Sequence, residues 1–236
     1  MPTPAPDPQP PAAALIRRAT AVSERIRVAR ERAGGGPVLL LPVTKGHPVQ
    51  VVRLALAAGF AELGENYLQE CQAKALELDE PQPRWHLLGH LQRNKVARAA
   101  RLFTVIETVD SLQLALALSG ARGEMEPLPV LCEVDLTAIP GRKGFRPEEL
   151  SRVAEPIAQL PGLRLLGLMT VADPAQPQRC FSACRLLRDG LEAELGLPLP
   201  VLSMGMSDDF EVAIAEGSTE VRLGGALFGP RQAPSG

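Results

Sequence analysis

Val38-Leu-Leu-Leu-Pro-Val-Thr44, running into Lys45-Gly46-His47-Pro48, is the stretch on which the fold turns. A run so short and so apolar reads as a strand buried on both faces, as in a parallel sheet covered by helices. Before it, Ala12 to Ala33 reads as a helix rich in Ala, Arg, Glu and Leu, with Leu15, Ala19, Val22, Ile26 and Ala29 on one face. Gly34-Gly35-Gly36-Pro37 ends that helix.

Working outward, seven more apolar runs follow. They are Ala61–Gly64, Trp85–Gly89, Phe103–Thr108, Pro129–Leu136, Arg164–Met169, Pro200–Ser203 and Glu220–Leu223. Helical patterns lie between them, among them Val49–Ala58, Tyr67–Leu78, Ser111–Ala121, Pro147–Gln159, Gln178–Leu195 and Asp209–Glu216. Eight β/α units in about 190 residues predict an α/β fold, a (β/α)₈ TIM barrel preceded by an extra N-terminal helix. An open doubly wound sheet is the alternative. The expected organisation is a disordered proline-rich tail over 1–11 and one barrel domain over 12–236.

A barrel places its functional residues at the C-terminal ends of its strands. Polar residues recur there: Lys45 after the first strand, Glu65 and Asn66 after the second, His90 after the third, Asp110 after the fourth, Thr170 after the sixth, Ser203 to Ser207 after the seventh, and Arg222, Gly224 and Gly225 at the eighth. Lys45 is the sharpest candidate. A desolvated amine is a usable nucleophile toward an aldehyde, although a strand-end lysine also commonly snorkels to the surface. Leu202 to Ser207 brings two hydroxyls and a glycine to the start of a predicted helix, a setting that favours phosphate; Ser207 or Asp208 capping that helix is the competing explanation. Gly224-Gly225 would let backbone approach the same phosphate. Arg222 either fills the barrel interior or contacts a helix. His86 and His90 are not read as zinc ligands, because the sequence between them looks like strand and lacks a metalloprotease glutamate; they are expected to hydrogen-bond within the pocket.

Composition narrows the function. The formal charge of −2 argues against a nucleic-acid binder. No apolar run approaches the ~20 residues of a membrane span, and the first residues lack the pattern of a secretory signal. Four cysteines without a CxxC pair suggest reduced, packing thiols, with Cys180 and Cys184 on one helical face, in a cytoplasmic protein.

Assembled in order, LLPVTKGHP, FAELGENYLQE, WHLLGHLQRNK, IETVDSLQLA, GRKGF, LRLLGLMT and LSMGMSDDFEVAIAEGSTEVRLGGALFG resemble the YggS/PROSC family of pyridoxal phosphate homeostasis proteins over nearly the whole chain after the tail. The resemblance implies a barrel like the N-terminal domain of alanine racemase and fold type III binding of pyridoxal 5′-phosphate (PLP). It implies that Lys45 carries PLP as a Schiff base and that Asn66 reaches the phenolic-oxygen side of the ring. Ser203, Gly224 and Gly225 would hold the phosphate with help from Ser207, and Arg222 would face the pyridine nitrogen. Two positions depart from the family pattern: Gly225 stands where a threonine is usual, and His47 where a second lysine is common. The expected role is PLP carriage, homeostasis and delivery to PLP-dependent apo-enzymes by a monomer. The rival is a PLP-dependent amino-acid racemase. The resemblance disfavours it, because alanine racemase draws its second proton donor, a tyrosine, from a β-rich domain for which this length leaves no room.

Overall fold

The computed structural model describes residues 12–79, 81–137 and 139–229. The stretch 1–11, expected to be a disordered tail, lies outside the described residues. The helix expected first is α1 (Ala12–Ala33), with Leu15, Val22 and Ile26 buried and Ala19 and Ala29 packed against the core. Each such buried aliphatic side chain contributes roughly 1.5–3 kcal/mol relative to exposure.

The eight apolar runs become β1 (Leu39–Pro42), β2 (Glu62–Glu65), β3 (Arg84–Leu87), β4 (Val105–Val109), β5 (Leu128–Glu133), β6 (Leu163–Met169), β7 (Val201–Ser203) and β8 (Glu220–Leu223). All pair in parallel, in the order β1-β8-β7-β6-β5-β4-β3-β2. The ends of that order meet through a bridge between Val43 and Gly64, where Thr44 N–H donates to Gly64 O at 3.0 Å. The sheet is therefore a barrel and not an open doubly wound sheet.

The covering helices are α2 (Val49–Ala57), α3 (Leu68–Glu77), α4 (Val96–Leu102), α5 (Leu112–Arg122), α6 (Pro147–Ala158), α7 (Pro177–Leu195) and α8 (Phe210–Ala215), with a short α9 (Gly225–Phe228) after β8. Two of these add to the sequence reading. Helix α4 follows a 3₁₀ turn at Arg93–Lys95, and α9 begins at Gly225, where a turn was expected. The core holds Trp85, Phe103, Phe145, Phe181 and Phe210, together with all four cysteines. Burial pushes the Cys132 and Cys184 thiols up to about 12, as suits packing residues.

Candidate functional site

Lys45 leaves β1 on a loop held from below. Lys74 on α3 is buried and donates to Thr44 O at 2.7 Å, Glu65 Oε1 at 2.6 Å and Glu70 Oε1 at 2.7 Å. Thr44 Oγ1 donates to Glu65 Oε1 at 2.6 Å, and Gly46 N–H donates to Glu70 Oε1 at 2.5 Å. One buried ammonium thus ties the residue before Lys45 and the residue after it to a single carboxylate pair. Burial, the largest influence, pushes the Glu65 carboxyl up against the pull of Lys74.

Asn66 directly follows β2. Its backbone is crossed by the end of the β3 segment at Gly89, where any Cβ would overlap the Asn66 carbonyl. The β7–α8 loop turns at Gly205 with φ +98°, and a side chain there would meet Ala213 Cβ at 2.6 Å. Ser207 does not cap α8: its Oγ accepts from Ala226 N–H at 3.2 Å, joining this loop to α9. The first N–H groups of any helix lack intrahelical acceptors, so the Gly224–Gly225 start of α9 presents donors beside the Ser207 hydroxyl. Arg222 points into the barrel, where Nη1 donates to Ser203 Oγ and Nη2 to Thr170 O, both at 2.8 Å.

These elements line an open-mouthed cavity of about 490 Å³, within the size range of small-molecule sites. Lys45, Asn66, Ser207, Arg222, Gly224 and Gly225 line it, with His47, Val43, Leu88, Met169, Val171 and Met206. His47 is buried and its ring tilts against Phe228 at 5.5 Å. Six of the seven residues expected at the site therefore meet at one cavity.

Ser203 is the correction. It is 0% exposed and does not line the cavity. Its hydroxyl lies 2.6 Å from Glu107 Oε2 and 2.7 Å from Glu220 Oε1, besides accepting from Arg222. The hydroxyl expected to grip a phosphate is consumed inside the barrel. The histidines are corrected too, since neither lines the cavity. His90 Nδ1 bonds Asp110 Oδ2 at 2.8 Å on an exposed rim. His86 is buried between Glu107 (Nδ1, 2.7 Å) and Glu62 (Nε2, 2.8 Å).

His86, Glu107 and Glu220 have ligand-type atoms within 4.8 Å of one another. Burial opposes a charge on His86, but the two flanking carboxylates outweigh it and push the imidazole up to about 10. Both of its ring nitrogens thus face a carboxylate within hydrogen-bonding distance. Sequence reasoning missed this assembly and the Lys74 clamp. The one local signal was the Glu70–Lys74 spacing of four on a helix.

Comparison with known proteins bears on all of this. The alanine racemase N-terminal domain family matches residues 18–232. A pyridoxal phosphate homeostasis protein of Pseudomonas aeruginosa is 43% identical over 89% of this chain and 93% of its own, and one of Escherichia coli 38% identical over 89% and 94%. The structure of PipY from Synechococcus elongatus with PLP bound superposes with a TM-score of 0.80 at 35% identity, over 91% of this chain and 100% of that one. Alanine racemase of Clostridium difficile, at 17% identity and a TM-score of 0.68, shares the fold; the match spans 90% of this chain and 58% of that one. Barrel, cavity and relatives agree: the chain belongs to the alanine racemase N-terminal domain family, on the branch of the pyridoxal phosphate homeostasis proteins.

Proposed function

We propose that this protein binds PLP in the Lys45 cavity, with the Lys45 amine as its covalent anchor, and holds the cofactor for delivery to PLP-dependent apo-enzymes as a cytoplasmic monomer. The observation that carries the reading is the meeting, at one cavity, of a lysine amine, a hydroxyl with helix-start N–H donors, and a buried guanidinium. The names of the relatives and the PLP-bound neighbour support it. Among the described residues, no helix is long and apolar enough to cross a membrane.

PLP, when bound, supplies an aldehyde carbon that condenses with an amine, releasing water, in a linkage that another amine can reverse. In this reading the Lys74–Glu65–Glu70 clamp orients the Lys45 loop toward that carbon. Ser207 and the N–H groups of Gly224 and Gly225 take the phosphate, and Asn66 meets the ring's phenolic oxygen. Arg222, permanently charged, would face the ring nitrogen and disfavour its protonation. A guanidinium at that position would suit storage better than carbanion chemistry.

One observation favours the racemase reading: His47, an acid–base side chain, lines the same cavity as Lys45. The only tyrosine, Tyr67, is 63% exposed and outside it. A test begins with PLP titration followed by near-visible absorbance, then borohydride reduction and mass spectrometry. The expected result is a pyridoxyl group on Lys45 alone among the four lysines, and loss of the band in Lys45→Ala. Label on Lys74, Lys95 or Lys143 with Lys45 unmodified overturns the reading. Racemisation of an amino acid well above background by the PLP-saturated protein would favour the enzyme.

A further inference from the structure

Behind Arg222 the barrel interior is charged where small barrels are usually filled with branched aliphatic side chains. Six side chains from five strands form one chain of contacts. Glu62 on β2 meets His86 on β3, which meets Glu107 on β4. Across the barrel, Ser203 on β7 bridges Glu107, Glu220 and Arg222.

The Ser203 hydroxyl has one proton to give and two lone pairs. Arg222 Nη1, at 2.8 Å, can only donate, so it fills one lone pair. The hydroxyl proton serves one carboxylate. The other, also within 2.7 Å, sits that close to the remaining lone pair only if it is itself a donor. The Glu107–Glu220 pair therefore holds one proton. Burial, then the charge of Glu107, pushes Glu220 up; burial acts the same way on Glu107, but His86, Arg222 and Ser203 outweigh it and hold Glu107 down. The proton resides on Glu220. Glu62⁻, His86⁺, Glu107⁻, neutral Glu220 and Arg222⁺ then sum to zero, a balance that a buried assembly requires.

We infer that Ser203 is a positioning residue for Arg222, and that the proton-sharing Glu107–Glu220 pair is the counterweight that keeps the guanidinium set at the cavity edge. Ser203 orients Nη1 while the Thr170 carbonyl orients Nη2, so both arms of the fork are fixed from behind and the remaining face is left for the ligand. Ionisation of Glu220 adds a negative charge behind Arg222 and weakens the positive field that the ring nitrogen meets. Glu133 on β5 also feels Arg222, with Asp110, Asp135 and Arg142 beside it, as does Cys184 on α7; Lys45, His47 and Asp208 share its cavity. This inference rests on the PLP reading above.

The test loads wild-type, Ser203→Ala, Ser203→Thr and Glu220→Gln proteins with PLP, then records dissociation constants and the near-visible spectrum from about pH 6 to about pH 9, the span in which a buried carboxyl of this kind ionises. Glu220→Gln keeps a donor but cannot ionise, so the step in the wild-type spectral profile disappears. Ser203→Ala weakens binding about tenfold and shifts the band at the low end of the range, as loss of a charge-assisted hydrogen bond does; Ser203→Thr restores both. The proposal is overturned if the Glu220→Gln profile superimposes on wild type, or if folded Ser203→Ala binds PLP as wild type does with an unshifted band. Should Ser203→Ala fail to fold, the Glu220→Gln profile decides. Failure of the PLP reading looks different: the wild type shows no band, or Lys45→Ala retains it.

Discussion

At the scale of single residues, Gly225 and Lys74 separate what the site holds from what holds the site. A Cβ built on Gly225 meets only Ser207 Oγ, at 3.9 Å, and the position does not have positive φ. The position therefore has room for the Cβ of Gly225→Thr, and on the PLP reading its hydroxyl would add a phosphate donor beside Ser207. A net hydrogen bond of about 1 kcal/mol gives roughly fivefold tighter PLP binding; titration showing unchanged or weaker affinity would refute the placement of the phosphate. Lys74 is different, because Glu65 is fully buried against it. Lys74→Met strands that carboxylate and costs about 3–5 kcal/mol in urea unfolding, as breaking a buried pair does. Adding Glu65→Gln recovers part of the loss. If Lys74→Met alone proves neutral, the clamp has no energetic weight. That Lys45, Asn66, Ser207, Arg222, Gly224 and Gly225 line one cavity was legible from the sequence because each ends or follows an apolar strand, and strand ends in a barrel converge. Ser203 was misread for the same reason. It too ends a strand, but its partner Glu107 lies 96 residues away, and no local pattern announces that contact.

At the scale of elements, the strands were readable and their interior contents were not. Glu107 and Glu220 were in view inside the fourth and eighth runs, yet periodicity shows only that a polar residue alternates with apolar ones. Which strands face each other across the barrel is a property of closure. Helix α4 escaped notice because Val96–Leu102 is short and rich in arginine. The element-level prediction concerns alkaline stability. His86 has a folded pKa of about 10, above its ordinary 6.5. The stability this contributes is complete below about 6.5 and is lost as pH rises toward about 10. Glu220, also raised, titrates in the same direction. Thermal melts should therefore show a falling midpoint from pH 6.5 to about 10. His86→Gln, destabilised overall, should show a flatter dependence across that window. A wild-type midpoint that stays constant to pH 10 would remove the imidazolium from the account.

At the scale of the whole molecule, pairing is uneven around the barrel. Strands β5 and β6 register over six residue pairs, Leu128 with Leu163 through Glu133 with Met169. The join between β1 and β2 rests on the Val43–Gly64 bridge and the Thr44 amide. Stability within one fold varies with such local support. Native-state hydrogen exchange should find the Thr44 amide opening faster than those of Val130 and Leu168; equal protection would mean that the seam is as firm as the rest. A cask with a light seam beside the peg that ties its contents would, on the PLP reading, let a competing amine reach the knot there while the broad β5–β6 stave stays in place.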